Sequence, residues 1–498
     1  MSNFIPTVII AVILVTTLML TAIITLITIV FTIAWNPLFH RYFHKKGPNK
    51  SSNLTIAFFH PYCDTGGGGE RVLWCGINGM KKQFPNAQFV VYTGDLHVTG
   101  EQILDKAQKR FQIQDMQWMK DPDKGIKFIY LKKRILVEAK TYPRFTLLGQ
   151  SLGSIWLAWE ALMKCCPDVF IDTTGYAFTL PVFKNIGKCN VACYVHYPTI
   201  SSDMLRLVRN RSSTYNNTSE ISKSWLLSSV KLQYYKIFAF LYKTAGNYSD
   251  ITMVNSSWTE GHISDLWKLR ENKVHKVFPP CDNTEFLKIE RQFIRHTANE
   301  QINIISVGQF RPEKDHALQI RAISKLRGMI SEKEWKRVRL ILVGGSRNSE
   351  DDYRIKELQN LCQDLSIDEN VDFKVNIPFS ELLHEMAESL IGLHTMWNEH
   401  FGIAVVEMLA AGLITIAHRS GGPQMDIVTE SNDLLPKTGF LATKDVDYAN
   451  CINEIIQMSC VEKTRIIENA RKSVIRFSEK EFEINWNKAV SQIVHSVK

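Results

Sequence analysis

Short apolar runs alternate with longer helical segments twice along this chain, and this alternation constrains the fold more than any other feature. Near-continuously apolar strands separated by helices are typical of parallel sheets that carry helices on both faces. We therefore predict an α/β protein with two doubly wound, Rossmann-like domains. The predicted strands are 55–59, 89–92, 127–131, 169–171, 192–195 and 251–254 in the first series, and 303–307, 339–343, 371–375, 390–394 and 414–417 in the second.

The length of the chain agrees with two domains. Its 498 residues are about twice the size at which one hydrophobic core usually stops growing. Prolines and then a charged run make 277–301 the predicted linker. We place the first domain at 54–282, the second at 300–475 and a final helix at 476–498. Ligands of doubly wound sheets bind beyond the carboxyl ends of the strands, so we expect the two sheets to face each other across a cleft.

The N-terminal residues 1–40 are predicted to form a transmembrane helix that anchors the protein in a membrane. They contain no Lys, Arg, Asp or Glu, and residues 8–35 are almost wholly apolar. As a helix, that stretch would reach ~42 Å, more than a ~30 Å hydrocarbon core requires. A secretory signal peptide would have a basic start and a cleavage site. Basic residues follow the stretch directly, so the positive-inside rule places the body of the protein in the cytosol.

Cysteine usage agrees with a cytosolic body. The ten cysteines show no framework spacing, which is typical of thiols in a reducing compartment. Sequons such as the one at Asn255 lie beside predicted buried strands, and we interpret them as unused.

The net charge of +9 indicates a negatively charged neighbour, such as a membrane surface or a phosphorylated substrate. Nucleic acid is not expected, because the basic residues are spread out and no known nucleic-acid module is present. Two internal segments, 132–160 and 225–243, mix basic and aromatic residues. Each either lies on an anionic membrane or packs as a helix on its own domain, and the sequence leaves both alternatives open.

Two carboxylates, Glu399 and Glu407, bracket seven residues where a strand-like run gives way to a helical one at Gly402. A helix that begins there directs unpaired N–H groups and the positive end of its dipole at whatever lies in front of it. The pattern favours a bound phosphate, with the carboxylates holding hydroxyl groups of attached sugars. The alternative is a loop acid followed by an ordinary helix acid.

Four consecutive glycines, Gly66, Gly67, Gly68 and Gly69, separate the first predicted strand from a helix. They allow close backbone approach to a ligand but match neither a P-loop nor a G-x-G-x-x-G fingerprint. We predict a loop that faces a phosphate or an acceptor; a flexible turn is the alternative.

A third motif follows the first strand of the second series, with Gly308, Arg311 and Lys314 just before a helix. Arginine can fork onto a diphosphate and lysine can add a point charge, as a leaving nucleotide requires. A solvated surface pair is the alternative.

His196 follows a predicted strand and would open onto the same cleft, although a lone histidine is more often structural. Asp121-Pro122-Asp123 is predicted to be a turn, so no metal is expected.

From Leu54 to Lys498 the chain resembles the retaining glycosyltransferases of the two-Rossmann (GT-B) type, in family four of the glycosyltransferases. The motifs that carry this resemblance are Glu399…Glu407, Val307-Gly308 with Arg311 and Lys314, and Val343-Gly344-Gly345. A closer resemblance is to the members that use GDP-mannose and extend a dolichol-diphosphate-linked oligosaccharide at the endoplasmic reticulum. It rests on His60-Pro61-Tyr62-Cys63-Asp64 with Glu70-Arg71, His196-Tyr197-Pro198, and Trp397-Asn398-Glu399-His400-Phe401-Gly402.

The resemblance implies successive transfer of two α-1,2-linked mannoses, without metal or cofactor and without an assigned general base. It implies an acceptor domain followed by a donor domain, with the helix that contains Trp486 crossing back to the first. The implied partners are GDP-mannose, the dolichol-diphosphate-linked oligosaccharide, the endoplasmic reticulum membrane and other mannosyltransferases of the pathway. The implied site roles are diphosphate binding by Arg311 and Lys314, mannose binding by Glu399 and His196, ribose binding by Glu407, donor contacts from the backbone of Phe401, Gly402 and Ile403, and an acceptor and phosphate loop at Gly66–Gly69.

Two other functions fit parts of the pattern. One is a membrane-anchored family-four transferase with a different nucleotide sugar. The other is a non-catalytic scaffold for other mannosyltransferases, although a scaffold needs none of Arg311, Lys314, Glu399 and Glu407.

Overall fold

The computed structural model describes residues 54–113, 115–201, 204, 225–290, 301–430 and 436–497. These residues form two compact units. The first unit contains the described residues as far as Val254, then Glu260–His275 and the residues from Trp486 onward. The second contains Asn255–Thr259 and Lys276–Asn485.

The first unit is a Rossmann-like parallel sheet with helices between its strands. Its described strands form a seven-stranded sheet in the order β3-β2-β1-β4-β5-β6-β7. The strands are β1 Thr55–Phe59, β2 Gln88–Thr93, β3 Lys127–Tyr130, β4 Val169–Asp172, β5 Asn190–Val195, β6 Ile251–Val254 and β7 Val274–Lys276. The helices are α1 Gly68–Gln83, α2 Gly100–Phe111, α3 Thr146–Lys164, α4 Trp225–Gly246 and α5 Ser257–Trp267, the last of which begins in the second unit.

Strand β1 lies at the centre of this sheet and is buried along its whole length. Its neighbours β2 and β4 both run parallel to it, with Ile56 opposite Phe89 on one side and Val169 on the other. Helix α1 covers the sheet with a buried apolar face that includes Trp74 and Ile77. Burial on both faces explains why these strands are continuous apolar runs.

The second unit repeats the same architecture with six strands. The order is β10-β9-β8-β11-β12-β13, and all neighbouring strands run parallel. The strands are β8 Ile302–Val307, β9 Val338–Gly344, β10 Val371–Val375, β11 Ile391–His394, β12 Ile414–His418 and β13 Gly439–Ala442. The helices are α6 Thr284–Leu287, α7 His316–Leu326, α8 Glu332–Trp335, α9 Ser349–Asp364, α10 Phe379–Glu388, α11 Ile403–Ala410, α12 Asp445–Gln457, α13 Cys460–Ser473 and α14 Glu479–Val494, of which the part from Trp486 onward belongs to the first unit.

The predicted pair of parallel-sheet domains is confirmed, and every predicted strand corresponds to a strand of the structure. Two strands were not predicted. Strand β7 has only three residues, one of them an exposed lysine, and β13 has four and begins with glycine. The lysine and the glycine interrupt the apolar run that marks a buried strand, and each of these two is the last strand in its sheet.

No helix in the described ranges has both the length and the apolar character needed to cross a membrane. The predicted anchor at 1–40 lies outside those ranges. The sequon residue Asn255 is buried, and its side chain accepts a hydrogen bond from the Thr259 hydroxyl at 2.6 Å, which agrees with an unused sequon.

The two basic and aromatic segments each pack one face on the first unit. In α3, Leu157 and Ala161 join the core, whereas Trp156 is 58% exposed. In α4, Tyr242 is buried and Phe240 is 67% exposed. Packing on the domain therefore accounts for part of each segment and leaves apolar side chains at the surface.

The part of α14 from Trp486 onward lies against α1. The Trp486 indole is fully buried, and a Cβ atom on Gly76 would lie 2.9 Å from its ring. Such a separation is shorter than two carbon atoms tolerate, so this contact requires glycine at position 76.

We expect Gly76→Ala to destabilise the first unit by ~1–3 kcal/mol, because a rigid buried ring cannot yield to the new methyl group. Thermal melting of the purified protein measures the effect. Gly261→Ala is the matched control: it also lies in a helix, but no atom stands within 4 Å of the new Cβ, so its melting temperature should stay equal or rise. An unchanged melting temperature for Gly76→Ala would contradict the packing described here.

Candidate active site

Lys314 and Glu399 form an ion pair at the carboxyl edge of the second sheet. Strands β8 and β11 are neighbours at the point where the strand order reverses. Lys314 ends a short 3₁₀ turn after β8, and Glu399 lies in the loop after β11. The Lys314 Nζ atom donates to Glu399 Oε2 at 2.6 Å. Reversal points of doubly wound sheets are where ligands bind, so the pair occupies the expected place.

Buried hydrogen bonds fix Lys314 relative to the end of β11. The Thr395 hydroxyl donates to the Lys314 carbonyl at 2.7 Å and accepts a bond from the Gln319 amide at 2.8 Å. Both Thr395 and Gln319 are buried. The lysine stem runs over Gly308, where a Cβ atom would lie 3.5 Å from Lys314 Cδ. Gly308 thus supports Lys314 through close packing.

Glu399 is held through its backbone by the loop after β12. The Asn398 N–H donates to Ser420 Oγ at 2.8 Å, and the Gly422 N–H donates to the Glu399 carbonyl at 2.8 Å. A Cβ on Gly421 would lie only 2.2 Å from that carbonyl oxygen, so the approach requires glycine. Asn398 has a positive φ of 51°, a conformation that asparagine tolerates better than most residues.

The Glu399 carboxylate is ionised in this setting. Burial opposes ionisation, but His394 and Lys314 outweigh it and lower the pKa of Glu399 well below its usual range. The His394 Nε2 atom lies 3.4 Å from the same oxygen, Oε2, that Lys314 contacts. Burial and the charge of Lys314 lower the pKa of the neighbouring His316 to about 4, so that imidazole is neutral near pH 7.

Helix α11 begins directly after Gly402, as predicted, with Gly402 at a φ of 109°. Phe401 is buried against Phe278 and Phe477, which fixes the start of the helix. Ile403 is the first helical residue, and Glu407 lies one turn further on and is half-buried. The sequence Glu399 to Glu407 therefore places a carboxylate before the helix and another within it.

Arg311 takes no part in this ion pair. It lines a cavity of about 310 Å³ together with Arg354, His316 and Glu357 among others, and neither Lys314 nor Glu399 lines that cavity. The Arg311 Nη1 atom lies 3.7 Å from Oε1 of Glu313. The structure brings Lys314 and Glu399 together but does not add Arg311 to them.

The glycine-rich loop of the first unit follows β1. Gly66 has a positive φ of 80°, and α1 begins at Gly68, so two of the four glycines lie in the first helical turn. The Glu70 carboxylate accepts bonds from the Thr65 N–H at 2.7 Å and the Gly67 N–H at 2.6 Å. Glu70 thereby fixes the shape of the loop, and its burial raises its pKa.

Two histidines converge on Thr173, which follows β4. The His196 Nε2 atom donates to the Thr173 carbonyl at 3.0 Å, and the His60 Nδ1 atom is 2.8 Å from the Thr173 hydroxyl. A Cβ on Gly69 would lie 3.4 Å from His196 Nε2, so the glycine loop and His196 are adjacent. The pKa of His60 is lowered to about 3, mainly by burial and to a smaller extent by the nearby His196.

Several residues of these arrangements were not assigned from the sequence. Thr173 and the loop at Ser420 come from contacts between distant segments, which motif spacing does not reveal. His394 lies only five residues before Glu399, but their contact depends on the path of the loop after β11. Glu70 had a local signal, since an acid at the third helical position can accept a hydrogen bond from the N–H of the residue before the helix, as Glu70 does from Gly67.

The predicted turn at Asp121 is confirmed, because its Oδ1 atom accepts bonds from the N–H groups of Asp123 and Lys124. Within the described ranges, no group of three or more His, Cys, Asp or Glu side chains is arranged to hold a metal ion.

We expect the low pKa of His60 to make the protein less stable in mild acid. Below pH 6.5 an unfolded histidine binds a proton, whereas folded His60 stays neutral until about pH 3, so the unfolded state binds more protons in that window. Stability should fall by ~2 kcal/mol between pH 6.5 and pH 5 from this group alone.

Thermal melting across this pH range measures the effect. His60→Gln, which cannot titrate, should show a smaller fall than the unsubstituted protein. His384→Gln, at an exposed position of α10, should show the same fall. Equal falls in all three proteins would contradict a buried, neutral His60.

Comparison with known proteins finds two matching family models, one in each half of the chain. Residues 53–267 match the family model described as ALG11 mannosyltransferase N-terminus, and residues 288–473 match Glycosyl transferases group 1. In fold, the chain is similar to the glycosyltransferase from Rickettsia africae ESF-5, with a TM-score of 0.56 and 15% identity over 89% of this chain and 99% of that one.

Similar proteins of known name carry the comparison further. The GDP-Man:Man(3)GlcNAc(2)-PP-Dol alpha-1,2-mannosyltransferase of Homo sapiens is 51% identical over 445 residues, which are 89% of this chain and 88% of the human one. The Mus musculus protein of the same name is 51% identical over 88% of this chain and 86% of its own length. This chain therefore belongs to the family of GDP-Man:Man(3)GlcNAc(2)-PP-Dol alpha-1,2-mannosyltransferases.

Proposed function

We propose that this chain transfers mannose from GDP-mannose to a dolichol-diphosphate-linked oligosaccharide and forms α-1,2 linkages. Proteins named for this reaction are 51% identical to most of the chain. The observation that carries the proposal is the ion pair of Lys314 and Glu399 beside the start of α11. A cation, a carboxylate and a helix N-terminus suit a diphosphate that carries a sugar.

The donor is proposed to bind along the loops after β8 and β11. As the bond between the mannose anomeric carbon and the phosphate oxygen breaks, negative charge collects on GDP, and Lys314 would stabilise it. The backbone of Phe401, Gly402 and Ile403 would face the phosphate or the mannose. Glu399 would hold mannose hydroxyl groups, and Glu407 would hold the ribose. These side chains and the helix N-terminus would replace a metal ion.

Arg311 is proposed to supply a second positive charge to the diphosphate. It lies three residues before Lys314, and its side chain is 37% exposed. A guanidinium at that position has donors for two phosphate oxygens.

The acceptor is proposed to bind at the first unit. Gly66–Gly69 would line the acceptor and phosphate side, and His196 would contact the donor sugar near the reacting centre. This assignment assumes the GT-B arrangement of glycosyltransferase family four, in which the two Rossmann-like domains face each other across a cleft. Domains at 54–282 and 300–475, with a C-terminal helix at 476–498 that returns to the first domain, fit that arrangement. The proposed reaction retains the anomeric configuration and occurs twice in succession.

The proposed location is the cytosolic face of the endoplasmic reticulum membrane, with 1–40 as a single-pass anchor. The uncharged, apolar N-terminal sequence and the basic residues after it support this topology. Exposed Phe240 lies on a helix with three lysines, and exposed Trp156 lies on a helix that ends at Lys164; both are suited to contact with lipid. Other mannosyltransferases of the pathway are proposed as partners.

A transfer assay with the full chain in detergent or membranes tests the function. Labelled mannose from GDP-mannose should appear on a dolichol-diphosphate-linked oligosaccharide with three mannoses, and the product should gain two residues. UDP-linked sugars should give no product. Transfer from a UDP-sugar but not from GDP-mannose would support another family-four transferase and refute the proposal.

The substitution Lys314→Ala tests whether the transfer reaction depends on this site. We expect at least a hundredfold loss of transfer, because removal of one positive charge from a developing oxyanion typically costs that much. Arg339→Ala, on strand β9 of the same unit with a side chain that is 36% exposed, is the matched control for loss of a positive charge and should transfer normally. Normal transfer by Lys314→Ala would refute its role, and no transfer from any donor would favour a scaffold.

A further inference from the structure

Glu399 has two potential hydrogen-bond donors on one carboxylate oxygen. Lys314 Nζ lies 2.6 Å from Oε2, and His394 Nε2 lies 3.4 Å from the same atom. The two donors reach it from different elements, since Lys314 follows β8 and His394 is the last residue of β11. All three residues belong to the second unit.

The His394 imidazole is almost completely buried, with 3% of its side chain exposed. Its Nε2 atom is within ion-pair range of Glu399 but is not aligned with a hydrogen-bond acceptor. The Tyr448 hydroxyl donates to the His394 carbonyl at 2.9 Å and fixes the end of the strand. A buried polar nitrogen without an aligned partner is unusual and calls for an explanation.

We infer that His394 is a positioning residue that holds the Glu399 carboxylate when Lys314 turns to the donor diphosphate. This inference rests on the proposed function, in which Lys314 binds the diphosphate and Glu399 binds mannose. In this structure Lys314 donates a hydrogen bond to Glu399. Binding of a diphosphate would draw the ammonium group away and leave a largely buried carboxylate without its main partner, which is costly.

His394 is the group placed to reduce that cost. A shift of a few tenths of an ångström would bring Nε2 from 3.4 Å into hydrogen-bond distance of Glu399. Two further histidines, His316 and His418, lie near His394, and burial lowers the pKa of both, so neither supplies a positive charge near pH 7. Arg354 lies near His316, and Asp315 lies near His418. His316 instead packs against the Phe310 ring.

Two amide substitutions separate a role through Nε2 from a role in packing. The amide of His394→Gln reaches about as far as Nε2 and can donate to Glu399, whereas the amide of His394→Asn falls short. We expect His394→Asn to raise the dissociation constants of GDP and GDP-mannose about tenfold. His394→Gln should stay within about threefold of the unsubstituted protein. Titration calorimetry with the full chain measures both constants.

The same substitutions in a Glu399→Gln background give a double-mutant cycle. With the negative charge removed, nothing remains for His394 to hold, so His394→Asn should no longer weaken GDP binding. Melting temperatures of all variants identify any that do not fold; His394→Leu, an apolar residue of similar size, replaces His394→Asn in the cycle if that variant does not fold.

Three outcomes overturn the inference. They are GDP binding by His394→Asn equal to that of the unsubstituted protein, an equal loss for Asn and Gln, and a loss that persists unchanged with Glu399→Gln. Lys314→Ala distinguishes this failure from failure of the proposed function. If Lys314→Ala binds GDP weakly while His394→Asn binds normally, only the inference fails; if Lys314→Ala binds GDP normally, the proposed diphosphate role fails.

Discussion

The ion pair between Lys314 and Glu399 determines how the second unit presents its ligand-binding edge. It joins the loops after β8 and β11, the two strands between which the strand order reverses. A buried, ionised carboxylate must be compensated, and here the compensating charge belongs to the residue proposed to bind the donor. The free protein would thus keep its binding lysine in place by pairing it with the carboxylate proposed to bind the sugar.

The ion pair is held in place mainly by close contacts to the backbone rather than by further charged side chains. Thr395 bonds to the Lys314 carbonyl, Gly422 bonds to the Glu399 carbonyl, and Gly421 admits that approach because it lacks a Cβ atom. The first unit uses the same means, with the Glu70 carboxylate closing the glycine loop and Thr173 joining His60 and His196. In both units, loops at the carboxyl ends of buried parallel strands hold polar groups at fixed positions, as preorganised binding requires.

The fold could be predicted from the sequence because burial on both faces makes each parallel strand an uninterrupted apolar run. The same reasoning failed for β7, which has one apolar residue, and for β13, which begins with glycine. Within the site, Gly402 was predictable as a helix start because the change from strand to helix is local. The role of His394 was not predictable, because its contact with Glu399 depends on the path of the loop after β11. For Arg311, the spacing indicated a role beside Lys314; the structure shows Lys314 paired with Glu399 and Arg311 lining a cavity, so a shared role in donor binding stays a prediction.

The most direct test of this account is an experimental structure of the full chain with GDP-mannose bound. The account predicts that Lys314 Nζ lies within hydrogen-bond distance of a diphosphate oxygen and that the Glu399 carboxylate contacts a mannose hydroxyl group. It also predicts a separation between Lys314 and Glu399 greater than the present 2.6 Å. An intact pair at that distance, with the diphosphate bound elsewhere, would contradict it.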